Sequence, residues 1–313
     1  MQQDGVVVIG SIHEDRFAYV GRLPAPGETV LAGTCELGIG GKGANQAIVA
    51  ARLGAEVSLI AMVGPDAAGS VAVAELAAQA VSVEHVGRTT GTPTGQASIT
   101  VDAAGENVIV VHSGANRDLT PAVVERELAQ LAGDRSLIIV CQCEVPPDTV
   151  AAAAAAAGGR HRFLLNLAPC VPVDTSTLER ADPLVVNRVE ARQLAEQLGV
   201  ARGNVEPREL AGSLRRFASS VVITLGAEGA LVADGEGVEL VPAGRPSAVV
   251  DTTGAGDAFV GAVAAHLAEG FCLRDAVRAG CAAGAVAVSR RGAIESYPTA
   301  TELEEFTAGA LHG

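Results

Sequence analysis

The sequence has no tryptophan, two tyrosines and six phenylalanines, so aromatic residues make up only 3% of its 313 positions. Apolar residues still account for 49%, and a chain of this length can bury a sizeable core, as large α/β domains do. Small aliphatic side chains must fill that core. No apolar run reaches the roughly 20 residues that a membrane-spanning helix needs; the alanine run at 151–157 is far too short. Residues 1–4 lack the basic start of a secretory signal and the apolar run after them ends by Gly10, which predicts a cytoplasmic protein. Positive charge is also scarce, with 22 Lys and Arg against 36 Asp and Glu and a net charge of −14. This excludes the broad basic face of a nucleic-acid binder. It does not exclude nucleotide binding, because backbone amides, a metal ion and a few cations suffice for phosphates; the charge mainly favours solubility. The six cysteines stand at 35, 141, 143, 170, 272 and 281. Cys141 and Cys143 fall on one face of an expected strand, a spacing that fits neither zinc binding nor a CxxC redox pair, so buried reduced thiols are expected.

What is present is alternation. Short β-type runs at 6–9, 57–62, 137–140, 163–165, 184–186 and 221–225 are separated by helical stretches at 44–53, 67–79, 121–131, 149–157 and 190–198. This pattern predicts an α/β fold, a doubly wound and mostly parallel sheet flanked by helices. Two regions break the rhythm. Residues 17–37 carry turn formers (Pro24, Pro26, Gly27) and no helical period, and 95–112 read as a hairpin whose strands, 96–102 and 107–111, flank Ala103–Glu106. Together, about 16–38 and 95–112 are expected to form a small separate sheet, a lid or an oligomer contact, on a single domain spanning 1–313. Two further helices are expected at 254–269 and 273–290.

Two glycine-rich runs carry chemistry. In DTTGAGDAF, residues 251–259, Gly254 and Gly256 permit close approach of a ligand to the start of a helix. The free amides of that first turn can cradle a phosphoryl group, and Asp257 can accept the proton of an attacking hydroxyl. An ordinary glycine-rich helix start with a capping Asp is the bland alternative. The second run, Gly40-Gly41-Lys42-Gly43-Ala44-Asn45, also leads from loop into helix and offers donors from Lys42 and Asn45. It lacks the GKS/T of a Walker loop and the GxGxxG spacing of a dinucleotide fold; a capped turn is its bland alternative.

The two runs, in this order and about 210 residues apart, resemble the ribokinase (PfkB) family of carbohydrate kinases, and the ribokinase branch of it most. Ser11-Ile12-His13-Glu14-Asp15, Pro24-Ala25-Pro26-Gly27-Glu28-Thr29, Gly114-Ala115-Asn116, Asn187-Arg188-Val189-Glu190 and Ile223-Thr224-Leu225-Gly226 with Gly229 are similar to further segments of that family. The similarity covers nearly the whole chain.

The resemblance implies ATP-dependent phosphorylation of the primary hydroxyl of a pentose, D-ribose to ribose 5-phosphate first. Asp257 would be the base and Gly254, Ala255 and Gly256 the anion hole. His13, Asp15, Gly41, Lys42, Asn45, Glu144 and Asp257 would hold the sugar; a carboxylate and an amide can each bridge two hydroxyls. Asn187, Thr224, Gly226 and Gly229 would bind ATP, and Glu190 would hold Mg²⁺ through water. A K⁺ site is implied at Asp251, Thr253, Ala287, Arg290, Gly292 and Ser296, largely through carbonyl oxygens. A homodimer packed through the lid is implied too. One position departs: where ribokinases usually carry Asn, this chain has His13, which changes both volume and hydrogen-bonding pattern. Deoxyribokinases also lack that Asn. Alternatives are therefore 2-deoxyribose, another pentose or pentulose, or a nucleoside, for which the lid offers little stacking surface beyond Phe17 and Tyr19. A non-catalytic sugar or nucleotide sensor would be expected to have lost Asp257 or the glycines beside it, and both are intact.

Overall fold

The computed structural model describes residues 5–133, 135–203 and 205–310. The chain opens with β1 (Gly5–Ile9), leaves the body through β2 (His13–Tyr19) and β3 (Thr34–Gly40), and returns through α1 (Lys42–Arg52) and β4 (Val57–Val63). Helix α2 (Ala67–Ala78) and the short β5 (Val86–Arg88) lead to the hairpin of β6 (Gly95–Val101) and β7 (Asn107–His112). There follow α3 (Pro121–Ala132), β8 (Leu137–Gln142), α4 (Pro147–Ala157), β9 (Arg162–Asn166), α5 (Thr175–Arg180) and β10 (Ala181–Asn187). Next come α6 (Arg188–Gln197), α7 (Pro207–Leu214), β11 (Val221–Thr224), β12 (Ala230–Asp234) and β13 (Gly237–Val241). The described chain closes with α8 (Ala255–Ala268), α9 (Leu273–Ala287) and α10 (Ala300–Ala310). None of these helices is long and apolar enough to cross a membrane.

The large sheet has nine strands in the order β13-β12-β11-β10-β9-β8-β1-β4-β5. It is parallel except for β12 and β13 at one edge. Continuous apolar runs become strands buried on both faces: in β1, Val6 and Val8 join the core under α1, α8 and α9, whereas Val7 and Ile9 join the core under α3 and α4. The chain winds from β1 to β4 on one side and returns to β8 on the other. The crevice beyond the C-terminal ends of β1 and β8 is therefore the switch point at which open α/β sheets hold ligands.

The small sheet has the order β3-β2-β6-β7. It starts earlier than the turn residues suggested, because His13, Glu14 and Asp15 pair with Gly40, Ile39 and Gly38 inside β2 and β3. Ala97 and Ile99 are buried, while Leu37, Val108, Ile109 and Val110 are each at least half exposed. All six cysteines are free, as expected, but Cys35 and Cys272 are exposed rather than buried; both sit in segments that the core does not cover. The strands β5, β12 and β13 went unread in the sequence: β5 has only three residues, and β12 and β13 are an antiparallel hairpin at the sheet edge, outside the β–α alternation.

Candidate active site

The start of α1 is pressed against the chain leaving β1. Gly41 has φ 93°, and a Cβ there would lie 2.8 Å from the Ser11 carbonyl oxygen; at Gly43 it would lie 2.5 Å from the Ser11 nitrogen. Glycine is required at both. This approach brings the Lys42 amide to Glu144, just past β8, where Glu144 Oε2 accepts from Lys42 N at 2.9 Å and from the Ser11 hydroxyl. Glycine also makes room at Gly40, where any Cβ would collide with the carboxylate of Asp15 on the paired strand.

Asp257 enters from the opposite side, in the first turn of α8. It is buried, yet its charge is met: Asn45 Nδ2 donates to Oδ2 at 3.1 Å and Gln46 Nε2 to Oδ1 at 2.9 Å. Gln46 continues the network, donating to Asn166 Oδ1 at 3.0 Å and accepting from Gln142 Nε2 at 2.7 Å. The Asp257 carboxylate is thus clamped by two amides of α1, and Gln46 is fixed in turn by amides from β8 and β9. Gly254, at φ 75°, caps α8. Ala255 N donates to Thr252 O at a long 3.3 Å, and the Gly256 and Asp257 amides have no hydrogen-bond partner among the described residues. A helix N-terminus with open amides attracts anions.

Three carboxylates, Asp257, Glu144 and Glu190, act on one ammonium, that of Lys42. Burial, then the charges of Glu144 and Asp257, push the Asp15 carboxyl up to about 7. The Asp257 carboxylate, against burial and with help from Glu144 and Glu190, raises the proton affinity of Lys42. Burial lowers the His13 imidazole despite the opposing pull of Glu144, so His13 is neutral near pH 7. His13 is 3% exposed; its Nδ1 lies 4.0 Å from Glu144 Oε2, and its Nε2 has no partner among the described residues. Its ring lines a cleft of about 540 Å³ with Glu144, Arg117, Val111, Pro146 and Pro169.

The expected nucleotide residues occupy neighbouring strand ends. Asn187 and Thr224 pair across β10 and β11. Gly226, at φ 61°, and Gly229, at φ 105°, shape the turn that follows, and a Cβ on Gly229 would strike the Val241 carbonyl. Asn187 and Glu190 form a capping box: Asn187 Oδ1 accepts from Val189 N and Glu190 N, and Glu190 Oε2 accepts from Asn187 N at 2.8 Å. This engages one carboxylate oxygen and leaves Oε1 without a partner among the described residues. Burial raises the Glu190 carboxyl, partly offset by the Asn187 amide and by Lys42.

Asp251 bonds Thr253 N, Thr253 Oγ1 and, at 3.0 Å, Gly292 N, joining two of the loops expected to hold a cation. The other expected positions look elsewhere: the Arg290 guanidinium pairs with Glu302, Ala287 O accepts from Arg290 N, and Ser296 Oγ donates to Ala293 O. Only their backbone carbonyls could serve.

The structure therefore gathers His13, Asp15, Gly41, Lys42, Asn45, Glu144 and Asp257 around one crevice, with Asn187, Thr224, Gly226 and Gly229 at the adjoining strand ends. Sequence reasoning passed over Ser11, Gln46, Gln142, Asn166 and Arg117. A signal existed for Gln142, a polar residue at the end of the apolar buried run 137–141, and for Gln46, which follows Asn45 into the apolar buried run 47–50.

The sequence profile of the pfkB family of carbohydrate kinases matches residues 3–300. The chain is 35% identical over 302 residues to ribokinase of Bacillus subtilis (strain 168), covering 96% of this chain and 98% of that one. It is 32% identical over 305 residues to deoxyribokinase of Salmonella typhi, covering 96% and 98%. Among solved structures, ribokinase from Thermotoga maritima superimposes with a TM-score of 0.89 at 28% identity, covering 97% of this chain and 99% of that chain.

Proposed function

Because the chain belongs to the pfkB family of carbohydrate kinases, its reaction is phosphoryl transfer to a sugar, and we propose that ATP is the donor and the primary hydroxyl of a pentose, D-ribose first, the acceptor. The observation that carries this reading is the placement of Asp257. It is held by Asn45 and Gln46 in the same first turn whose Gly256 and Asp257 amides are open. A hydroxyl approaching Asp257 loses its proton to the carboxylate, while the turn amides and Lys42 receive the charge of the transferring group. Asp15, Asn45 and Glu144 orient the remaining hydroxyls.

Glu190 and Asn187 would hold magnesium through its water shell, the ion supplying charge neutralisation on the nucleotide's phosphate oxygens. The donor set fits. Glu190 is a hard oxygen donor of the kind magnesium and its water shell take, and only its Oε2 is engaged, by Asn187 N. Asp251 and the carbonyls of Thr253, Ala287, Arg290, Gly292 and Ser296 would hold potassium, which adds fixed positive charge behind the turn; the Asp251–Gly292 bond that joins the two loops supports this reading. The half-exposed apolar residues Leu37, Val108 and Val110 on the small sheet support a homodimer packed through that lid. Light scattering on the eluted protein tests this, and a monomer refutes it.

One observation favours a second substrate. The neutral, partnerless Nε2 of His13 cannot reproduce an amide that both donates and accepts, so selectivity can shift toward 2-deoxyribose. An ADP-release assay over a panel of pentoses, pentuloses and nucleosides, with and without potassium, decides. Turnover of ribose above all others supports the first reading, preference for 2-deoxyribose supports the second, and no turnover of any of them defeats both.

A further inference from the structure

Beneath the α8 turn lies a polar group with no assigned task. Tyr297 is 1% exposed, and its hydroxyl has no hydrogen-bond partner among the described residues. Such a group is costly to bury, so an orphan of this kind calls for a partner that arrives later. Its ring lies directly under Gly254, where a Cβ would stand 2.7 Å from the hydroxyl oxygen and 2.9 Å from ring carbon Cε1.

The position is fixed from below. Arg52 Nη1 donates to Ile294 O at 2.6 Å and to Tyr297 O at 3.0 Å. Arg52 ends α1, the helix whose first turn carries Lys42 and Asn45. One helix thus sets both the residues that face the sugar and the tyrosine behind the anion-binding turn. A tyrosine hydroxyl is a hydrogen-bond donor as well as an acceptor, so it can donate to a carbonyl.

The turn above it has a bond to give up. Ala255 N–H points at Thr252 O at 3.3 Å, and for that amide to face a phosphoryl group it must leave this carbonyl. A backbone carbonyl then needs a donor, and the hydroxyl below needs an acceptor. We propose that Tyr297 is the positioning residue of the anion-binding turn: when a phosphoryl group draws the first-turn amides outward, its hydroxyl donates to a backbone carbonyl of residues 252–253 and holds the turn in that arrangement. The donated bond polarises the adjoining peptide and strengthens its N–H toward the anion. The inference rests on phosphoryl transfer at Asp257 but not on which sugar is used.

Tyr297→Phe tests it, because Phe keeps the ring under Gly254 and removes only the orphan hydroxyl. The expected result is a fall in kcat of about tenfold, the effect of one hydrogen bond made in the transition state. KM for sugar and ATP stays within about twofold and the ligand-free Tm is not lowered. Affinity for ADP with aluminium fluoride and sugar, a mimic of the transferring group, falls by the same factor of about ten, while affinity for ADP alone is unchanged. Wild-type kcat and wild-type affinity for the mimic would overturn the proposal, and so would a loss of kcat that comes with a lower Tm and a raised KM, the mark of simple packing. Wild-type protein that turns over no sugar would count against the proposed function instead, and the mimic-binding arm would still report on Tyr297.

Discussion

Replacing Asp15 by Asn removes a charge that the fold holds at a cost. The carboxyl rises from its ordinary 3.8 to about 7, chiefly through burial and then through Glu144 and Asp257. At about 1.4 kcal/mol for each tenfold change in proton affinity, this bounds the penalty on the ionised form at about 4 kcal/mol. Asp15 is only half-buried in the ligand-free crevice, so solvent reduces the net figure to about 1–2 kcal/mol. The sign follows from linkage. Between pH 4 and 7 the folded protein binds more protons at this position than the unfolded chain, so wild-type stability falls as pH rises through that window. Asn is neutral throughout. Thermal unfolding of both proteins from pH 4 to 8.5 should show Asp15→Asn more stable at pH 8 and the gap closing toward pH 4, while KM for the sugar rises in the variant. A variant no more stable than wild type at pH 8, or a gap independent of pH, would refute the electrostatic reasoning.

Two further outcomes follow from the same geometry. Gly254→Ala must take φ 75° with a side chain and place its Cβ 2.7 Å from the Tyr297 hydroxyl, so a loss of about 2–5 kcal/mol is expected from strain and overpacking; denaturant unfolding within about 0.5 kcal/mol of wild type would contradict it. His13→Asn should restore an amide beside Glu144 and change the ratio of kcat/KM for ribose over 2-deoxyribose by about tenfold in favour of ribose, one hydrogen bond's worth; an unchanged ratio would remove His13 from substrate choice.

Much of this was legible because the relevant signals are local. Apolar runs buried on both faces name the parallel strands, and glycines at positive φ or in close backbone contact mark the starts of α1 and α8. The resemblance to the ribokinase family extends that reading along the chain, and the family match over residues 3–300 bears it out. What escaped notice depends on long-range contact. Gln46 clamps Asp257 from 211 positions away and Gln142 reaches Gln46 from 96, pairings with no trace in spacing. Asn187 and Glu190 show a different limit: the pattern expected to serve a metal is also a helix cap, and sequence alone cannot separate two uses of one pair. Tyr297 reads as one more apolar residue in a tail until Gly254 is seen above its hydroxyl.

The most direct test of the central claim is Asp257→Asn. The amide nearly matches the carboxylate in shape, but one of its ends now donates; it keeps the bond from Gln46 Nε2, and Asn45, whose Oδ1 has no partner among the described residues, flips its amide to accept from the new NH2, so the ligand-free Tm should stay close to wild type. With whichever sugar the wild type prefers, kcat should fall by about 10²–10⁴, the range for loss of a general base, with KM for ATP within about threefold. A variant that folds and keeps kcat within fivefold of wild type would contradict the assignment of Asp257 as the base.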